Sequence, residues 1–352
     1  MENKIFDIPF VRGVATVLPK NRMSVRDLKF DNSNVEEIIK VTGIDTVYQS
    51  SEGETLTDYC ISAAEHLIAE LNFDKSQIDG VVFSTLLGDY ISPGSGYVVH
   101  GKLDLSERCL VVDINQACAG FVYGLFQAYM MIECGYCKNV LVCAGDAPSQ
   151  TMHPKDKSLR TIMSDAGAAA IVSISKEKSP SAFSFFNEGQ SLKALYIPAG
   201  GKRMPRKAGV TDVETTDKEG NVRTLEHPHM DGLEVTSFAI RAVPKTLNET
   251  LGVLNLTKDD IDVFALHQAN ELMLNALGKR LKVPAEKVPL SLKEYGNTAC
   301  ASVPITLCSE SAKGKKFDKV FMCGFGNGLA CAAATMSLKD TYFSGPHHFN
   351  SL

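Results

Sequence analysis

Four segments from the first half of the chain return in the same order in the second half. DGVVFST (79–85) is answered by DVFALHQ (262–268), NQACAGF (115–121) by GNTACASV (296–303), KNVLVCAG (138–145) by DKVFMCGF (318–325), and AAAIVSISK (168–176) by AAATMSLKD (332–340). Cys118 and Cys300 stand 182 residues apart, Val142 and Met322 180, and Ala168 and Ala332 164. The shorter last offset places a deletion in the final hairpin of the second copy. A duplicated unit that alternates apolar strand-like runs with helical stretches restricts the fold to two α/β halves on parallel or mixed sheets. The halves are expected at residues 1–178 and 179–352, with the polar stretch 200–230 as an insertion loop or lid.

Each copy opens one helix that is apolar nearly all round, the first at Cys118 and the second near Asn297. A helix without a polar face belongs in the interior. Two such helices between two sheets, with outer helices covering both, predict a five-layer αβαβα sandwich in which both N-termini face one cavity.

Composition narrows the function. A chain that is 44% hydrophobic and 22% charged is that of a soluble globular protein, and its net charge of −5 argues against a nucleic-acid partner. The start of the chain, MENKIFDIPFVRG, has no signal-peptide pattern, and no apolar run is long enough to span a membrane. The ten cysteines are scattered through apolar runs, which predicts buried, reduced thiols and a cytoplasmic location. Structural zinc is not expected, nor any other metal or cofactor. His227, His229, His347 and His348 are read as loop residues.

Cys118 follows the strand-like run LVVDI (110–114) and precedes the helical run 119–132. A helix N-terminus favours a thiolate, and the small neighbours Ala117, Ala119 and Gly120 let a carbonyl approach. His267 ends the strand DVFAL, and Asn297 precedes the second buried helix. Strand ends and helix starts line the ligand crevice of α/β sheets, so Cys118, His267 and Asn297 together point to acyl-transfer chemistry.

These motifs, ACAGF at Cys118, LHQAN at His267, GNTACASVP at Asn297, and TGI (42–44) with Glu54-Thr55, resemble the β-ketoacyl-acyl-carrier-protein synthase III group of the thiolase superfamily over nearly the whole chain. The resemblance implies a homodimer with the thiolase-like sandwich and a ping-pong reaction. Cys118 takes an acyl group from an acyl-coenzyme A or acyl-carrier-protein donor. Malonyl-acyl carrier protein then loses carbon dioxide, and its carbanion attacks the acyl-cysteine to give a 3-oxoacyl thioester. His267 and Asn297 would stabilise the enolate, and the Cys118 N–H with the backbone at Gly326, Asn327 and Gly328 would form an oxyanion hole for acylation.

The chain also departs from that family. Members that use acetyl-coenzyme A often carry a Trp before TGI and an Arg after it. This chain has no Trp, and Glu37 and Asp45 stand near those places. Glu271 and Leu272 replace basic residues in the carrier-docking helix, leaving Lys279, Arg280 and Lys282, with Lys202, Arg203, Arg206 and Lys207, as a candidate carrier patch. Ser92, Pro93 and Gly94, in the region that reaches across the dimer in relatives, leave room for a longer or branched primer. The rival readings are a type III polyketide synthase-like enzyme, suggested by GFGNG, and an acyltransferase that moves the acyl group from Cys118 to an alcohol or amine without condensation.

Overall fold

A computed structural model describes residues 5–28, 30 and 34–350. The first sheet has six strands, in the order Tyr342–His348, Pro9–Leu18, Ala166–Ile174, Asn139–Asp146, Gly80–Thr85 and Leu110–Asn115. The second has five: Ile5–Phe6, Ser181–Asn187, Ala330–Ser337, Lys319–Gly326 and Val263–Leu266. Gly80–Thr85 runs parallel to Asn139–Asp146, as Val263–Leu266 does to Lys319–Gly326, and each pair continues into an antiparallel neighbour. The duplication extends to register. Ala144 faces Ala168 in the first sheet, and Gly324 faces Ala332 in the second. The connection between these strands is residues 147–165 in the first copy and only 327–329 in the second, where the offset shortens.

Alternation along the strands builds the layers. Val140, Val142 and Ala144 pack inward on the helices Gly120–Glu133 and Ser302–Ala312, together with Val320, Met322, Ala332 and Ala334 from the other sheet. Leu141 and Cys143 point outward to the helix Leu56–Glu70, and Phe321, Cys323 and Phe325 to Gly232–Leu254 and Glu271–Leu281. Period-two strands with both faces apolar are buried on both sides, so the sandwich has five layers, αβαβα. The chain ends cross between the sheets: Ile5–Phe6 pairs with Ser181–Asn187, and Tyr342–His348 pairs with Pro9–Leu18.

Several local expectations change. His347 and His348 lie in a strand rather than a loop, and His229 lies in the short strand His229–Met230, paired with Leu195–Tyr196. The stretch 200–230 carries a hairpin, Thr215–Thr216 with Val222–Arg223. Arg223, largely shielded from solvent, ties it to the first half through Asp156 and Ser158. Cys134-Gly-Tyr-Cys137 has the Cys-x-x-Cys spacing of zinc and redox pairs. It closes the C-terminal end of Gly120–Glu133, where the dipole disfavours thiolates. Its sulfurs point to different carbonyls, Cys134 to Met131 and Cys137 to Asp79. Among the described residues no helix is long and apolar enough to cross a membrane.

The two halves come into close backbone contact at Gly324. A Cβ there would lie 2.4 Å from the Cys118 carbonyl oxygen and 2.6 Å from Ala119 Cα. Both obstacles are backbone, so a methyl group forces the strand away from the nucleophile turn. Gly324→Ala is expected to destabilise the fold by about 3 kcal/mol, measured by chemical denaturation.

Candidate active site

Cys118 sits in the turn between the strand Leu110–Asn115 and the helix that starts at Gly120, with the Gly120 N–H donating to Ala117 O at 2.7 Å. Its sulfur looks into a cavity of about 710 Å³. Gly326, at φ +153°, passes so close that a Cβ there would lie 2.9 Å from Cys118 Sγ; Gly328 has φ +137°. Only glycine tolerates that combination of backbone and proximity. Asn327, between them, is fixed by its side-chain amide donating to Leu195 O at 2.6 Å.

The electrostatics revise one expectation. Burial, the largest effect, and the nearby Asp146 carboxyl push the Cys118 thiol up to about 12, although the N–H groups of Asn327 and of Cys118 itself pull it down. The resting residue is therefore a thiol, not a thiolate. Both N–H groups face Cys118 Sγ.

His267 follows the strand Val263–Leu266, and its N–H donates to Cys323 O at 2.8 Å. Its ring is buried edge-on against Phe325, 5.3 Å between centroids. Burial lowers its pKa to about 4, so the ring is a neutral imidazole at physiological pH. Nδ1 lies 2.7 Å from Ser302 Oγ, and that hydroxyl donates to Ala299 O at 2.9 Å. The other two polar residues of the HQAN motif are structural. Gln268 braces residues 289–292 through Pro289 O and the Ser291 and Leu292 N–H groups, and Asn270 caps Glu271–Leu281 by accepting from Met273 N–H.

Asn297 is positioned by the first half of the chain. Its N–H donates to Ile162 O and its carbonyl accepts from Ser164 N–H, at 2.8 and 2.9 Å. Its Oδ1 accepts from Ala299 N–H at 3.0 Å, which turns Nδ2 toward Ala269 O, 3.5 Å away, and the cavity. Cys118, His267, Asn297, Gly326 and Asn327 all line this one cavity. Sequence reasoning missed Asp146, whose carboxylate accepts from Cys300 N–H and Leu86 N–H and locks the second buried helix to the first sheet. Its only sequence signal is an acid ending an otherwise apolar strand. Cys300 itself is fully buried, with Sγ against Ser84 O.

Lys279, Arg280 and Lys282 are exposed at the far end of Glu271–Leu281, which is capped by Lys282 in the left-handed conformation. Lys202, Arg203 and Lys207 are exposed, and Arg206 pairs with Glu226. Asp45 and Glu36 share the Arg26 guanidinium, while Glu37 faces a groove with Lys157 and Glu219.

A five-layer αβαβα sandwich with cysteine, histidine and asparagine on a cavity between its halves defines a thiolase-fold condensing acyltransferase. Two family profiles match the chain: 3-oxoacyl-[acyl-carrier-protein] synthase III over residues 112–189, and the C-terminal region of the same synthase over residues 251–338. The β-ketoacyl-[acyl-carrier-protein] synthase III of Fusobacterium nucleatum is 31% identical over 324 residues, covering 91% of this chain and 95% of its own. That of Rhodopirellula baltica is 30% identical over 345 residues, covering 92% and 96%. A 3-oxoacyl-(acyl-carrier protein) synthase from Burkholderia xenovorans superposes with a TM-score of 0.88 at 28% identity, covering 99% of both chains. The chain belongs to the 3-oxoacyl-[acyl-carrier-protein] synthase III family. This family favours condensation over both the non-condensing acyltransferase and the type III polyketide synthase readings.

Proposed function

We propose that this enzyme joins an acyl primer, held on Cys118, to the two-carbon unit of malonyl-acyl carrier protein, in the priming of fatty-acid or related chains. The observation that carries the assignment is the single cavity shared by Cys118, His267 and Asn297. In the first step His267 Nε2 accepts the thiol proton as sulfur attacks the donor thioester, and returns it to the departing carrier thiol. The N–H groups of Cys118 and Asn327 hold the oxyanion. In the second step malonyl loses carbon dioxide, and His267 Nε2–H and Asn297 Nδ2–H donate to the enolate oxygen. The carbanion attacks the acyl-cysteine, the C–S bond breaks, and the thiolate released takes a proton from water to restore the thiol.

The two steps need opposite tautomers of His267. Ser302 Oγ serves both: it accepts from Nδ1–H while donating to Ala299 O, or rotates to donate to Nδ1 and leaves the proton on Nε2. Lys279, Arg280 and Lys282 are assigned to docking of the acidic carrier. The donor is an acyl-coenzyme A or acyl-carrier protein, with Glu37 in the groove disfavouring nucleotide phosphates. Intact mass spectrometry with both donor types, followed by malonyl-carrier protein, tests the assignment. An acyl adduct converted to a 3-oxoacyl product supports it; carbon dioxide release with no such product rejects it.

A homodimer in a reducing cytoplasm belongs to the same proposal. Leu110–Asn115 is an edge strand of the first sheet, and Ile91, Tyr90 and Tyr97 are exposed at 109%, 63% and 57% beside it, a surface that proteins normally cover. Ile91→Asp is expected to weaken self-association at least about tenfold, read by light scattering. A wild-type chain that is monomeric at micromolar concentration excludes the dimer.

A further inference from the structure

The strand Tyr342–His348 lies beyond the second family match, which ends at residue 338. It runs parallel to Pro9–Leu18 at the edge of the first sheet, with His347 opposite Val17. Val17 belongs to the face covered by Leu56–Glu70, so the His347 ring settles onto that helix. There it stacks on His66 at 4.0 Å, and its Nε2 lies 3.9 Å from Glu70 Oε1. His66 and Glu70 are four residues apart and share one helix face. One donor atom from each of the three residues falls within 4.8 Å of the others. Ser344 Oγ, 2.6 Å from His347 Nε2, adds an oxygen at the same point.

We propose that His66, Glu70 and His347 bind one divalent first-row transition metal of the zinc class, which fastens the C-terminal strand to the helix Leu56–Glu70. Two imidazoles and a carboxylate are a zinc-type donor set, and the fourth position falls to Ser344 Oγ or water. Metal–ligand bonds of about 2.0–2.2 Å require the donors to draw together by roughly 1 Å and the stacked rings to turn so that their lone pairs converge. All three side chains have solvent on one side, which leaves room for that rotation. The site lies on the outer face of the first sheet, whereas Cys118 opens the helix between the sheets, so the metal acts on the strand and not on the chemistry.

The test uses untagged, chelator-treated full-length protein, titrated with Zn²⁺ by calorimetry and with Co²⁺ by visible absorption. One ion per chain is expected, with cobalt bands that lack thiolate charge transfer, and a melting temperature raised by several degrees. His66→Ala and Glu70→Gln should each weaken binding at least about tenfold, and Glu70→Gln does so without changing side-chain volume. Cys134→Ser should bind as wild type does. Absence of saturable binding overturns the proposal, as does binding undiminished in Glu70→Gln and His66→Ala, or a thiolate band that disappears in Cys134→Ser.

Discussion

Cys118→Ala is expected to lower 3-oxoacyl product formation by at least about 10⁴-fold and to abolish the acyl adduct seen by intact mass spectrometry. Alanine removes only the sulfur, and the turn is held by contacts it leaves intact: the Gly120 N–H to Ala117 O and the backbone packing against Gly324. The stability of the variant should therefore match wild type within about 1 kcal/mol. The pH profile adds a second readout. Because burial holds the thiol near 12 and His267 near 4, the proposed reactive pair at neutral pH is thiol plus neutral imidazole. Acylation then needs His267 unprotonated. Its rate stays level through the neutral range and falls only as pH drops toward 4, where the imidazolium can no longer accept the proton. A rate that climbs through pH 8–9 with an ordinary thiol titration would overturn the thiol–imidazole pair, and an adduct that persists in Cys118→Ala would remove Cys118 from the mechanism.

Much of this arrangement was legible in the chain because duplication leaves a long-range signature. Offsets of 180 and 164 residues correspond to the register of two hairpins, Ala144 with Ala168 and Gly324 with Ala332. The apolar runs after Cys118 and Asn297 identified the buried helices because a helix with no polar side has nowhere else to go. What stayed hidden depended on contacts between distant segments. The thiolate expectation weighed the helix dipole, a local effect, but could not see the desolvation that outweighs it. Ser302 looks like an ordinary helix-start serine until folding brings its hydroxyl to His267 Nδ1, 35 residues away in sequence. The terminal strand escaped notice because Gly345-Pro346 and the two histidines read as a loop, and its pairing partner is at the opposite end of the chain.

The roles of His267 and Asn297 separate when the two half-reactions are measured apart. In the proposed mechanism Asn297 enters only as an enolate donor, so Asn297→Asp should reduce decarboxylative condensation about 100- to 1,000-fold while leaving acylation of Cys118 within a few-fold of wild type. Aspartate is the informative replacement. It retains an oxygen to accept from Ala299 N–H, which preserves the turn, but replaces the Nδ2 donor with an acceptor that repels the enolate. His267→Ala should impair both half-reactions, because in the proposed mechanism the same nitrogen accepts the thiol proton in the first and donates to the enolate in the second. Single-turnover acylation followed by rapid-quench condensation with malonyl-carrier protein distinguishes the patterns. If Asn297→Asp slowed both steps equally in a folded protein, the asparagine would be organising the cavity and not meeting the enolate. If it slowed neither, the donor would have to come from elsewhere on the cavity wall, and His267 alone would bear the developing charge.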